Sequence, residues 1–499
     1  MTVADRLLVP FEGSGCGVGE LSWGQREMWG MIRRLGSSLA LGGVSPLPAG
    51  MSLEAAAAVL SVIMSRHQSL RTRLRFDTDG RARQVIAASG TATLEIVDPG
   101  DADPAVAAQA VWDRFHAVEF DYVNEWPVRM AVIRQGAVLT HVVATYCHLA
   151  LDGGGLAALV ADLADLGDPA HLGDPADPGG PADPADPGDP GDPGDSGDSG
   201  DPGDSGGPAD PGDPEAGTGR STSPVRGLPP LEQARWEASP AGQRRSAASL
   251  RHWERLLRGI PARRFPSPAS HGGRRFQEAE YRSPAMYLAA RVVAARAGVD
   301  TSPVLLAAVA VALAQVTGIN PSVAQVMVSN RFRPGIAASV SAVSLPGLCV
   351  VDVAGSTFDE VVARAWQSSL SAYKNAYYDP SARDQLVARL GRERGEDLDI
   401  FCFVNDRRDP SRREVSGSVP SLDEVSAALP AGRLDWREVP VDPVSERFSL
   451  RVNDVPDTIE MQVAADTHHV SPAVMAAFLR ATEAVTVRAA LNPAARTGV

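Results

Sequence analysis

Between Glu20 and Leu35 apolar residues recur at helical spacing, with Met28, Trp29, Ile32 and Leu35 on one face and Ser22 placed as a cap. Ser52 caps a second helical pattern from Leu53 to Ser69. Strict alternation then takes over. Arg73 to Phe76 reads as a strand closed by a turn over Asp77 to Gly80, and Gln84 to Ala88 and Thr93 to Val97 read as further short strands. Pro104 to Glu119 is helical, and Val128 to Arg134 and Val138 to Tyr146 alternate about Gln135-Gly136 as a β-hairpin. A helical pattern follows from Leu156 to Leu166. Beyond residue 220 the spacing predicts helices over Leu231–Trp236, Ser246–Leu257, Ala285–Gly298, Pro303–Thr317, Thr357–Tyr373 and Ser471–Leu491. Strands are predicted over Gln325–Ser329, Leu348–Val353 and Asp399–Val404, with a hairpin joining Phe448–Val452 to Thr458–Ala464. Helices and tightly turned strands are mixed in both halves, which implies α+β lobes around mixed sheets.

Composition divides the chain in three: residues 1–166, an interrupting stretch at 167–219, and residues 220–499. The middle stretch is built of Asp-Pro-Gly and Asp-Ser-Gly units and reads as a disordered acidic linker, because proline and glycine block regular structure and like charges repel. From Asp168 to Glu215 there are 13 Asp, 1 Glu and no Lys or Arg, which accounts for the whole net charge of -14. The remainder is formally neutral and carries no basic stripe, which excludes nucleic acid as an expected partner. Cys16, Cys147, Cys349 and Cys402 are scattered and read as free thiols. Without an apolar leader or an apolar run of 18 residues, the expectation is a soluble cytoplasmic protein with no membrane partner.

Candidate chemistry gathers at one corner, Tyr146-Cys147-His148-Leu149-Ala150-Leu151-Asp152-Gly153-Gly154-Gly155. A histidine there ends a strand, an aspartate follows four residues on, and glycines open a helix whose first N–H groups are free. Glycine lets backbone approach a ligand closely. A base beside an anion-stabilising helix end is what acyl transfer needs. Asp152 reads as a structural group that fixes the corner through a buried arginine, for which Arg66, Arg71 and Arg331 are the candidates. His468 and His469 are adjacent, so on an extended segment they point to opposite faces and do not make a zinc site. Gly13 to Gly19 never spells G-x-G-x-x-G, and no strand is predicted before it. The chain has no P-loop and no G-x-S-x-G elbow.

Three blocks in order then add up to a likeness. Ser22-Trp-Gly-Gln25-Arg-Glu-Met28-Trp29 resembles an S-x-A-Q-x-R-L-W block, Arg66-His67-Gln-Ser-Leu70-Arg71-Thr72-Arg-Leu74 an R-H-x-x-L-R-T-x-F block, and Cys147-His148-Leu-Ala-Leu-Asp152-Gly153 an H-H-x-x-x-D-G block. His252-Trp253 and Arg331-Phe-Arg333-Pro334 fall where later, looser blocks would fall. The chain thus resembles the condensation domains of nonribosomal peptide synthetases, within the carrier- or CoA-dependent acyltransferases, over all but residues 167–219. Cys147 departs by replacing the first of the paired histidines, and the late F-V-N-T-type block is poorly kept around Val343 to Val351. The resemblance implies two chloramphenicol-acetyltransferase-like lobes forming a V, with His148 in the tunnel between them and Cys147, Gly154 and Ser329 as candidate tunnel residues. It implies a free-standing condensation enzyme of natural-product biosynthesis that joins an acyl or aminoacyl thioester to an amine or hydroxyl. The thioester would arrive on the phosphopantetheine of a carrier protein acting in trans, with no bound cofactor and no metal, and the acceptor would be a small molecule. His148 would deprotonate the nucleophile, and backbone at Gly153 would receive the oxyanion. A non-catalytic recruitment protein for carriers or tailoring enzymes, and a CoA-dependent acyltransferase, are the alternatives.

Overall fold

The computed structural model describes residues 2–167, 227–266, 275–409, 413–414, 417–437 and 447–499. The acidic stretch expected at 167–219 lies outside them apart from Gly167, which ends a helix. The described chain forms two α+β lobes.

The first lobe comprises β1 (Thr2–Glu12), β2 (Gly17–Glu20), α1 (Trp23–Leu35), β3 (Leu41–Pro46), α2 (Leu53–Arg66), β4 (Thr72–Phe76), β5 (Ala82–Ile86), β6 (Ser89–Asp98), α3 (Pro104–His116), β7 (Val128–Gln135), β8 (Val138–Tyr146) and α4 (Gly153–Gly167). Its main sheet runs β1-β6-β7-β8-β3, and β2-β5-β4 form a small second sheet. Alternation decides the two faces of the main sheet. Leu94, Ile96, Met130 and Val132 pack against Leu60, Ile63 and Met64 of α2, whereas Val97, Ala131 and Ile133 pack against Ala107, Val111 and Phe115 of α3.

The second lobe comprises α5 (Pro230–Ala238), α6 (Pro240–Gly259), β9 (Phe276–Ser283), α7 (Pro284–Ala297), α8 (Thr301–Thr317), β10 (Ser322–Val328), β11 (Leu345–Val351), α9 (Phe358–Lys374), α10 (Pro380–Arg394), β12 (Cys402–Asp406), α11 (Leu422–Ala428), β13 (Arg433–Arg437), β14 (Phe448–Asn453), β15 (Ile459–Asp466) and α12 (Pro472–Leu491). Its strands form one sheet in the order β11-β10-β12-β14-β15-β9-β13. Helices α7, α8, α9 and α12 cover one face of it in a single apolar core. The Ala- and Val-rich α8 is apolar all round because it is buried all round. No single described helix is long and apolar enough to cross a membrane.

Helix α1 ties the lobes together. Ser22 and Gln25 close a capping box at its start, and Trp23 N–H donates to Glu237 Oε2 of α5 at 2.7 Å. Arg383 of α10 meets Glu27 at 3.0 Å, with both side chains buried. Arg26 meets Asp379 at the same distance.

The structure departs from the sequence pattern in several places. Strands β1, β2, β3, β9 and β13 and helices α10 and α11 have no clear periodic signal. Strand β1 precedes the glycine-rich stretch, contrary to expectation. The reason lies in pairing: β1 follows β6 along its length, so a distant strand rather than local alternation defines it. The helix from Leu53 ends at Arg66 rather than Ser69, because His67 turns to extended backbone and places its ring on Asp162.

Candidate functional site

Strands β7 and β8 hold the corner in place. Cys147 N–H donates to Pro127 O, His148 N–H donates to Ser38 O at 3.3 Å, and a turn from Cys147 O to Ala150 N–H leads into α4. His148 keeps partial solvent exposure, yet its Nδ1 is buried with no hydrogen-bond partner. Burial pushes the imidazole pKa below its ordinary value, Asp152 pulls it back, and Arg407 at the end of β12 lowers it further. Burial thus favours the neutral ring, the form a general base needs.

Asp152 has no such freedom. Its Oδ1 accepts from Gly155 N–H at 2.7 Å and Arg331 Nη2 at 2.8 Å. Its Oδ2 accepts from Arg331 Nη1 at 3.1 Å, Val343 N–H at 2.9 Å, Ser344 N–H at 2.8 Å and Ser344 Oγ at 2.7 Å. Burial alone would raise this carboxyl's pKa, but Arg331 and the N–H donors hold it below the usual carboxylate range. The aspartate thus caps α4 of the first lobe and grips residues 331–344 of the second.

Of the three arginine candidates, the structure gives Asp152 to Arg331. Arg331 also donates to Ser339 O at 3.1 Å and Ser341 O at 2.9 Å. Asn330 sets up its approach: buried and left-handed at φ 57, it donates through Nδ2 to Val343 O and Ala376 O. Arg66 instead makes a two-pronged contact with Asp162 of α4, at 2.9 and 2.8 Å, so it steadies the helix rather than the corner. Arg71 is wholly buried and donates to the carbonyls of Ser14, Gly15 and Ala87. The glycine-rich stretch wraps that guanidinium, and a Cβ on Gly13 would meet Arg71 Nε at 2.9 Å.

The glycines of the corner divide in role. A Cβ on Gly154 would stand 2.8 Å from Arg331 Nη1, and one on Gly155 would stand 2.8 Å from Ser341 O. These two make room for the arginine, not for a ligand, which corrects the expectation for Gly154. Gly153 faces open space, with nothing within 4 Å of an added Cβ. Cys147 is likewise no tunnel residue. It packs with Leu21, Met28, Leu74 and Phe120, and burial pushes its thiol up to about 12. Ser329 is exposed, and its carbonyl lies 3.5 Å from Arg331 Nη1.

Arg407 is the functional candidate that sequence reasoning passed over. Burial and the neighbouring Arg451 lower its pKa to about 10. Its only signal was a charged run at a strand end, Asn405 to Arg408. The charge matters because the sheet face on its side is polar: Arg451 pairs with Glu278 at 2.7 Å, and Gln462 bonds the same glutamate.

The architecture defines the class first: this is the two-lobe fold of the chloramphenicol-acetyltransferase type, as found in condensation domains. It resembles a condensation domain that mediates chain release from the enacyloxin polyketide synthase, with TM-score 0.67 and 19% identity over 97% of this chain and 84% of that one. It also resembles the X-domain from teicoplanin biosynthesis, solved alone and in complex with OxyB; against the X-domain alone the TM-score is 0.66, with 17% identity over 96% of each chain. Residues 40–178, which contain His148 and Asp152, match the family model of the condensation domain. A 148-residue stretch is 31% identical to the isonitrile lipopeptide synthase of Mycobacterium tuberculosis, covering 29% of this chain and only 6% of that relative's length.

Proposed function

We propose that the protein is a condensation-type acyltransferase that joins a carrier-bound acyl or aminoacyl thioester to an amine or hydroxyl. The observation that carries this reading is an imidazole at the interlobe corner, its neutral form favoured by burial and its Nδ1 unengaged, beside an aspartate whose lone pairs are all taken. The nucleophile adds to the thioester carbonyl as His148 takes its proton. The C–S bond then breaks, and the proton passes to the departing pantetheine thiolate. An amide or ester and a free thiol result. Gly155 N–H is spent on Asp152, so the N–H groups of Gly153 and Gly154 are those left at the start of α4 for the oxyanion.

The test loads a carrier with acyl-phosphopantetheine, adds an amine or alcohol acceptor, and follows product by mass spectrometry. His148→Ala should lose at least about a hundredfold in rate, the usual worth of a positioned general base. Equal turnover by that variant would overturn the role. The buried Cys147 where the family pairs two histidines favours one second reading, a recruitment module. Carrier binding without product from any acceptor would support it.

A further inference from the structure

A cavity of about 680 Å3 opens in the first lobe between α3, the sheet and residues 124–126, and His148 does not line it. Its floor is aromatic: Arg73 lies flat over the Trp126 ring, 3.5 Å from the centroid, and Trp126 itself is held by Nε1–H to Thr91 O at 2.9 Å. Four arginines line it against two glutamates, Glu95 and Glu125. Arg129 is already engaged, since it pairs with Glu125 and caps the end of α3 by donating to Phe115 O and Val118 O. Arg6 and Arg114 share the single carboxylate of Glu95. Arg73 has no ion pair and no side-chain hydrogen bond among the described residues, and its Nε and that of Arg114 are both buried without a partner. The arginines lining the hollow thus outnumber its carboxylates by two, with Asp121 a further acidic neighbour of Arg73. Burying a donor without an acceptor costs about 1–3 kcal/mol, and more beside a charge, so such a hollow favours an anion.

We propose that this cavity binds a small organic anion, its carboxylate or phosphate seated on Arg73 and Arg114 and its apolar part against Phe115 and Met130. The volume falls in the range of small-molecule sites, roughly 300–1,000 Å3. A stacked guanidinium keeps its edge N–H groups free for two-point contact with an oxyanion. The rim supplies the hydroxyls of Thr91 and Thr93. Glu125 and Trp126 of its lining belong to the loop from Phe120 to Pro127, and Pro127 O accepts from Cys147 N–H, so an occupant can stiffen the His148 corner from behind.

The test is calorimetry at low salt on the full chain with three probes: phenyl phosphate, benzoate and inorganic phosphate. Wild type should bind phenyl phosphate or benzoate with a dissociation constant of about 0.1–1 mM, and inorganic phosphate more weakly, since it lacks the apolar part. Whichever aromatic probe binds more tightly tells phosphate ester from carboxylate. Arg73→Met, which keeps the stem on Trp126 and removes the charge, should weaken binding tenfold or more. Thr91→Asp, at the exposed rim, should do the same without touching the core and serves if the first variant misfolds. Arg333→Met, in a separate basic cavity with Arg245 and Lys374, should leave binding unchanged. No heat with any probe, or wild-type affinity in both Arg73→Met and Thr91→Asp, would overturn the assignment.

Discussion

Replacing Asp152 by asparagine changes no shape, yet it should be among the most destabilising substitutions in the chain. The carboxylate receives four donors on Oδ2 and two on Oδ1. An asparagine oxygen placed at the Oδ2 position keeps the first four, but its NH2 then faces Gly155 N–H and Arg331 Nη2, two donors that cannot pair with it. Each buried donor so orphaned costs about 1–3 kcal/mol. The Arg331 charge also loses its counterion while staying buried, and breaking such a pair costs about 3–5 kcal/mol in all. Arg331→Met should cost a similar amount from the other side. Together the two changes remove a charge pair rather than strand one charge, so the double variant should be less destabilised than the sum by about 2–3 kcal/mol. Thermal and urea unfolding of wild type, both singles and the double provide the cycle. Singles costing under about 1 kcal/mol, or strictly additive effects, would refute the view that Asp152 is an interlobe tie.

Product formation should hold steady near pH 7 and fall as pH drops through the His148 pKa, because the base form is lost there; a histidine NMR titration locates that pKa below the ordinary value. Arg407→Gln removes a positive neighbour, so the same titration should move upward and the acid limb of the rate profile with it. Gly154→Ala should lower the melting temperature by pushing on Arg331, whereas Gly153→Ala, which meets open space, should leave it unchanged and show its effect in the rate alone. Burial raises Glu237 to about 8, between Tyr377 Oη–H and Trp23 N–H. The folded state thus holds this proton more tightly than the unfolded chain, and its contribution to stability is lost as pH rises from about 4.5 through about 8. Glu237→Gln should match wild type in melts at pH 5 and exceed it at pH 9; equal melting temperatures at pH 9 would count against the assignment.

Much of the fold was legible because its signals are local. Ser22 and Ser52 each accept the N–H they were placed to accept, since a cap and its helix lie within one turn. The hairpin β7–β8 was legible for a similar reason: its strands alternate, and a two-residue turn joins them. Helix α10 was not, because what buries its Arg383 is Glu27, 356 residues earlier. The corner shows the same division. Its spelling marked His148 as the base candidate and Asp152 as a structural carboxylate in need of an arginine.

By itself, then, the sequence determined the α+β class, most helix starts and the order of the blocks that carry the family likeness. Each of these depends on residues a few positions apart. Only the tertiary structure decided which arginine answers Asp152, that Gly154 and Gly155 are small for the sake of Arg331, and that Arg407 bears on His148. Those facts depend on groups some 180 to 260 residues apart that meet only when the second lobe closes on the first, and no local pattern encodes a contact of that range.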